Sequence, residues 1–401
     1  MGLTISIFWQ LAYMSNPAAD FMPRRRHLHH VKNNESKGMC SDWEHRSNTY
    51  IQAVHDNPEQ MALNNWTLPT FETSYISRVF AGKRVALMGD STLCFLRDAL
   101  HNVLNVTNPQ FLGGLQNMTL TGARQAFDME AVRTESDVGL NLRTPGVNHS
   151  FNGDIYHYNA TTDSDSASTK NQHTQLMFTG FRGDNFQYNC LWEEHAFSKI
   201  RSFQPDILVA NFGIHLFHHS TIRSECLVRM WLNYEEWLQE VVKLAEQTKV
   251  KLLLFKTTNY ICEDRYPPGL REPIMLNKTT YVSICRGWFD DVVKHPPQWG
   301  REIYNFTDEQ IDRYCWEASG RDANSRLLNQ RMRDFVTKIK QKQAAEASVD
   351  ATSSLRIEIY NDHDMQTCRY TPVGDGSHYR DLFIPRIRLL AHMIHCLWKE
   401  D

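Results

Sequence analysis

Five short apolar runs punctuate the chain: Arg84–Met88, Gln175–Thr179, Asp206–Asn211, Lys251–Thr257 and Leu355–Tyr360. Each is bounded by polar or turn-forming residues and reads as a buried strand. Elsewhere the apolar period is that of a helix. Leu93, Leu96, Leu100, Val103 and Leu104 make one stripe, and Trp231, Tyr234, Trp237, Leu238, Val241, Val242 and Ala245 make another. A third joins Ile387, Leu390, Ala391, Ile394 and Leu397. These stripes read as core. The alternation predicts an α/β fold whose mainly parallel sheet is covered on both faces, with an active site outside the carboxyl ends of the strands. Ser91, Gly213 and Asp375 all follow such ends.

Two stretches interrupt the alternation. Residues 107–170 are polar, with a low-complexity tip at 161–169, and are expected to form a surface lobe. Residues 262–322 carry two Pro-Pro turns and the aromatics Trp288, Phe289, Trp299, Tyr304 and Trp316. These read either as packed loop residues or as a sugar-stacking platform. The expected organisation is therefore an apolar segment at 1–14, a stem at 15–78 and a catalytic domain at 79–401 with irregular loop insertions forming a minor lobe. A chain of 401 residues with 41% hydrophobic content can bury such a core. Leu3–Met14 is shorter than the roughly 20 residues of a spanning helix and has no basic stretch before it, so it reads as a signal peptide or a truncated anchor. Arg24–Arg26 with His27, His29 and His30 reads as solvated stem.

Chemistry concentrates at two places. Gly89-Asp90-Ser91 ends the first strand and opens the first long helix, which puts the Ser91 hydroxyl at a helix N-terminus, beside unpaired N–H groups and a positive dipole end. Asp375-Gly376-Ser377-His378 follows the last strand. A carboxylate three residues before an imidazole can hold its Nδ1–H while Nε2 faces a serine. A serine hydroxyl is a weak nucleophile near its own pKa, and a neutral histidine within hydrogen-bond reach activates it. Ser91, His378 and Asp375 are thus the expected nucleophile, base and orienting group.

An early Gly-Asp-Ser and a late Asp-x-x-His resemble the SGNH (GDSL-type) hydrolase superfamily, and within it the PC-esterase and trichome-birefringence-like branch. His378-Tyr379, Pro385 and the closing Leu397-Trp398 follow that branch's outline. The resemblance implies a flavodoxin-like three-layer sandwich and an acyl-serine mechanism on glycans, with no metal or organic cofactor; a transferase would add an acyl donor as co-substrate. Gly376 and Arg380 stand where the plant branch has cysteines, so its local disulfide does not carry over. The superfamily's Gly-x-Asn-Asp block is replaced by Asn211-Phe212-Gly213-Ile214-His215. The oxyanion hole is accordingly expected from the N–H groups of Ser91 and Gly213, with Asn211 or His215 in the asparagine's place and Gly113-Gly114 or Gly180 as further donors. Arg97, Arg182 and His215 are candidate substrate-binding residues.

Eight Asn-x-Ser/Thr triplets begin at Asn34, Asn65, Asn105, Asn117, Asn148, Asn159, Asn277 and Asn305, against about three at average Ser and Thr usage. That excess predicts a lumenal or extracellular protein, in the Golgi or secreted, with a membrane anchor at the N-terminus as one option. Nine cysteines permit disulfides there. The odd number leaves at least one outside them, and Cys94 is the candidate; connectivity among Cys190, Cys226, Cys262, Cys285, Cys315 and Cys368 stays open. A net charge of −3 supplies no basic field for nucleic acid, and His215, His218 and His219 lack the carboxylate or thiolate partners of a metal site. The expected protein is a monomeric serine esterase or O-acetyltransferase of glycans or polysaccharides. A catalytically silent glycan-binding scaffold and a lipid esterase are the alternatives.

Overall fold

The computed structural model describes residues 40–56, 73–105, 152–159, 173–180, 191–214, 231–265, 278–294, 307–318, 321–346, 355–371, 376–379 and 382–398. The chain divides into Met1–Ser41 and Asp42–Asp401, and the fold is that of the second unit. Leu3–Met14 lies outside the described residues, and none of the described helices is long and apolar enough to cross a membrane.

Among the described residues, six strands form one sheet: β1 (Arg84–Gly89), β2 (Asn152–Asn159), β3 (His173–Gly180), β4 (Ile207–Ala210), β5 (Leu252–Lys256) and β6 (Arg356–Tyr360). Their spatial order is β2-β3-β1-β4-β5-β6. The five anticipated strands are all present and mutually parallel, and their order is the doubly wound 2-1-3-4-5 arrangement. β2 was not anticipated. It pairs antiparallel with β3 at the sheet edge, and its sequence, Asn-Gly-Asp-Ile-Tyr-His-Tyr-Asn, is too polar to stand out within 107–170.

Side-chain alternation along the strands divides the core into two layers. Ala86, Met88, Leu208, Ala210, Leu253 and Phe255 point to one face and pack on α4 (Leu191–Phe203), α5 (Tyr234–Gln247) and α8 (Arg321–Glu346). Val85, Leu87, Ile207, Val209, Leu252 and Leu254 point to the other. There they meet α1 (Trp43–Asp56), α2 (Thr73–Phe80), α3 (Ser91–Asn105) and α9 (Phe383–Leu397). The α/β sheet with helices on both faces is as expected from the sequence.

Two expectations are corrected. The stretch 15–78 is not wholly a stem, because α1 and the first part of α2 bury Tyr50, Ile51, Val54 and Ile76 in the second layer. Nor is 262–322 an irregular loop throughout. It contains α6 (Lys278–Lys294) and α7 (Asp308–Ala318), joined by the Cys285–Cys315 disulfide, with Phe289 and Tyr314 packed edge to face between them. Of the proposed sugar platform, Phe289 is thus core, Trp316 is exposed, and Trp299 and Tyr304 lie outside the described residues.

His392 on α9 is fully buried, and burial pushes its imidazole down to about 4, with the nearby charges of His395 and Arg46 adding to the effect. The folded chain holds this ring neutral while the unfolded chain protonates it below its ordinary 6.5. Its contribution to stability is therefore present above pH 6.5 and lost as pH falls towards 4. Urea unfolding measured across that window should show a loss of stability that is shallower in His392→Leu; parallel curves for the two proteins would contradict this assignment.

Candidate functional site

The crevice of a doubly wound sheet opens where neighbouring strands send their connections in opposite directions. Here that point lies between β1, whose next parallel neighbour in the chain is β3 on one side, and β4 on the other. Ser91 follows β1 and Asn211–Gly213 follows β4, so both stand at the mouth of the crevice.

Local sequence explains the serine's position. Asp90 caps α3: its Oδ1 accepts hydrogen bonds from the Thr92 amide at 2.9 Å and the Thr92 hydroxyl at 2.5 Å, while its carbonyl accepts from Leu93 and Cys94 N–H. Asp90 is buried, and its Oδ2 has no hydrogen-bond partner among the described residues. Ser91 is thereby fixed as the first helical residue. Gly89 is required by a close approach, since a Cβ there would stand 2.3 Å from the Asn211 carbonyl oxygen and 2.8 Å from Leu93 Cδ1.

Ser91 Oγ lies 2.7 Å from Nε2 of His378, which is only 8% exposed. The sequence motifs paired these two residues across nearly three hundred positions of chain, and the structure brings them together. The Phe95 ring, one turn after Ser91, meets the imidazole at right angles with centroids 4.6 Å apart, holding the ring plane. On the imidazole's other side, Ser377 Oγ is 3.3 Å from Nδ1. Asp375, expected at Nδ1, lies outside the described residues. Gly376 has φ 76°, in the left-handed region that a cysteine at this position would adopt only under strain.

The remaining candidates divide. Asn211 is buried, and its Nδ2 donates to the Lys256 carbonyl at 2.8 Å, tying the ends of β4 and β5. One N–H of the proposed oxyanion donor is therefore used within the sheet. Gly213 is pressed against Thr258, whose Oγ1 would lie 1.9 Å from an added Cβ. Gly180 pairs with Gly89 at the end of β3 and so lies beside the serine turn. Arg97 is 3% exposed, with its guanidinium 5.2 Å from the Phe178 ring centre and donating to Cys94 Sγ. From the second turn of α3 its long side chain folds onto β3. Arg182, His215 and Gly113-Gly114 lie outside the described residues. Cys94 is buried as a thiol. No group of three or more His, Cys, Asp or Glu side chains arranged to hold a metal occurs among the described residues.

Sequence reasoning missed the residues behind the histidine. Asn259, buried after β5, donates from Nδ2 to the Ser377 carbonyl at 2.7 Å, and the Cys262 amide donates to the Gly376 carbonyl at 2.8 Å. Lys256, at the end of β5, is fully buried; burial pulls its ammonium below the usual lysine range, while the facing Asp362 carboxylate opposes that shift. A lysine closing an otherwise apolar strand was the available signal, since such a charge must find a buried partner.

Gly89→Ala should cost about 1–3 kcal/mol by overpacking, because the nearest obstacle is backbone. Denaturant unfolding of the variant checks this, and unchanged stability would show that β1 and β4 can separate freely here. In comparisons with known proteins, the chain matches no family model, no curated protein and no solved structure.

Proposed function

We propose that this chain is a serine-dependent acyl esterase or O-acyltransferase of the SGNH, PC-esterase-like kind, acting on glycans. The single observation that carries the reading is the 2.7 Å contact between Ser91 Oγ and His378 Nε2 at the N-terminus of α3. In this reading His378 takes the Ser91 proton as Oγ attacks an ester carbonyl. The resulting oxyanion is held by N–H groups at Ser91 and Gly213 and by the dipole of the 15-residue helix. Collapse expels the alcohol, which receives the proton from His378, and leaves an acyl-serine. Water or a sugar hydroxyl, deprotonated by the same imidazole, then releases the acyl group as free acid or as a new ester. Asp375 is assigned the orienting role at Nδ1 by its place in the Asp-x-x-His motif.

Buried disulfides at Cys262–Cys368 and Cys285–Cys315 fit an oxidising environment, that of a secreted or secretory-pathway protein. The eight glycosylation triplets support the same placement, and the Golgi lumen is the compartment we propose for a glycan-modifying enzyme. The engagement of Asn211 with Lys256 favours one alternative, a glycan-binding protein without turnover, because it withdraws part of an oxyanion donor.

Release of a chromogenic acetyl ester separates the two. Wild type should show turnover that falls by about 10³-fold or more in both Ser91→Ala and His378→Ala, with little further loss in the double variant. Equal release from wild type and Ser91→Ala would overturn the enzymatic reading and leave the binding one.

A further inference from the structure

Lys256, Asp362 and Arg386 form a charge cluster that is at most 1% exposed at each member. Lys256 Nζ is 3.2 Å from Asp362 Oδ1, and Arg386 Nε is 2.9 Å from Asp362 Oδ2, a close ion pair although not aligned as a hydrogen bond. Such clusters are poor devices for stability alone, because apolar residues of similar volume commonly serve as well or better. Their value is directional, and here the direction is clear. Asn259 Oδ1 accepts from Lys256 Nζ at 2.8 Å, from Gln366 Nε2 at 3.2 Å and from Arg386 Nη2 at 3.4 Å.

Three donors on one oxygen, two of them cationic, leave the Asn259 amide a single orientation. Reversing it would bring its NH2 group against Lys256 and Arg386. Nδ2 must therefore face the opposite way, where it meets the Ser377 carbonyl. Further ties run between the same two segments: Cys262 N–H to the Gly376 carbonyl, and the Tyr379 hydroxyl to the Tyr260 carbonyl at 2.9 Å. Residues on both sides of His378 are thus strapped to the loop after β5. The buried charges reach both neighbours of His378: Arg386 Nη1 donates to the Tyr379 carbonyl at 3.4 Å, and the shorter Asn259 tie holds the carbonyl of the peptide group that joins Ser377 to His378.

We propose that Asn259, oriented by the Lys256–Asp362–Arg386 cluster, is the positioning residue that sets the reach of His378 to Ser91. The proposal rests on the serine-esterase reading for its catalytic consequence, though not for its geometric one. No mobile switch is implied; the cluster pre-orders the base so that no reorganisation is needed when the proton moves.

Asn259→Asp is the informative variant. It keeps the acceptor that faces Lys256, Gln366 and Arg386, and its added negative charge offsets a cluster of two cations and one anion. It removes only the donor to Ser377 and sets a carboxylate oxygen against that carbonyl. We expect a folded protein whose kcat on the chromogenic ester falls about 10- to 100-fold while KM moves less than about threefold. A crystal structure of the variant should show Ser91 Oγ and His378 Nε2 farther apart than about 3.5 Å, outside hydrogen-bond reach. Asn259→Gln, which keeps both the donor and the acceptor of the amide on a stem one methylene longer, should lose less kcat than Asn259→Asp. A folded Asn259→Asp with wild-type kcat and an intact Ser91–His378 contact would overturn the proposal. Failure of both variants to fold would also overturn it, by showing that Asn259 is structural. Should wild type lack Ser91-dependent turnover, the esterase reading fails by itself, and the crystallographic separation alone decides the positioning claim.

Discussion

A hydroxyl and an imidazole 287 residues apart in the chain share one hydrogen bond of 2.7 Å, and the elements on either side fix both partners. Neither partner could hold that distance alone. Ser91 is placed by the end of β1, by the Asp90 cap and by a glycine that lets the backbones of β1 and β4 nearly touch. His378 sits in a segment without regular structure, so its position has to come from side-chain and backbone ties to the loop after β5. The sheet between them is the rigid ruler. β1, β4 and β5 are adjacent and parallel, their ends are cross-linked by Asn211 to the Lys256 carbonyl, and the helices on both faces keep the strands dry.

The physical cost of this arrangement is concentrated behind the histidine. Burying a lysine, an arginine and an aspartate beside one another sacrifices a large hydration energy that their mutual attraction only partly restores. Several buried polar atoms near the strand ends, among them Asp90 Oδ2, Asn211 Oδ1 and Thr258 Oγ1, have no hydrogen-bond partner among the described residues. A fold shaped only for stability would avoid this density of buried polarity, and the pre-ordered proton transfer proposed for this site would have use for it. The Cys262–Cys368 disulfide acts at the periphery of the same region: it ties the loop after β5 to the segment after β6, close to where Cys262 N–H holds Gly376.

What was legible in the sequence follows from how each element makes its energy. The central parallel strands β1, β4 and β5 are buried on both faces and announce themselves as short, nearly continuous apolar runs, while β3 and β6 carry polar residues among their apolar ones. The helix stripe of α5 is equally plain because one side packs on the sheet while the other is exposed, and those of α3 and α9 stand out because both helices are apolar and buried along most of their length. β2 gains its place from pairing at an edge rather than from burying an apolar run, and a polar sequence hides it. The helices α6 and α7 were obscured by the prolines and scattered aromatics around them, although Cys285 and Cys315 lie on their packed faces. Ser91 and His378 were legible because their chemistry is carried by residue type and motif. The packing of Arg97 over Phe178 was not legible, because helical position says where a side chain begins, not where a long one ends. Asn259 and Asp362 carry no motif at all, and their role arises from distances that only the folded chain contains.

The central claim is that His378 activates Ser91 within this single contact. Its most direct test is intact-mass and peptide-level mapping after treatment with a serine-reactive phosphonate, comparing wild type with His378→Ala. The account predicts one adduct per wild-type chain, located on Ser91, and its loss or severe slowing in the variant. Labelling of Ser91 that proceeds equally well without the imidazole, or no labelling of Ser91 in the folded wild type, would contradict it.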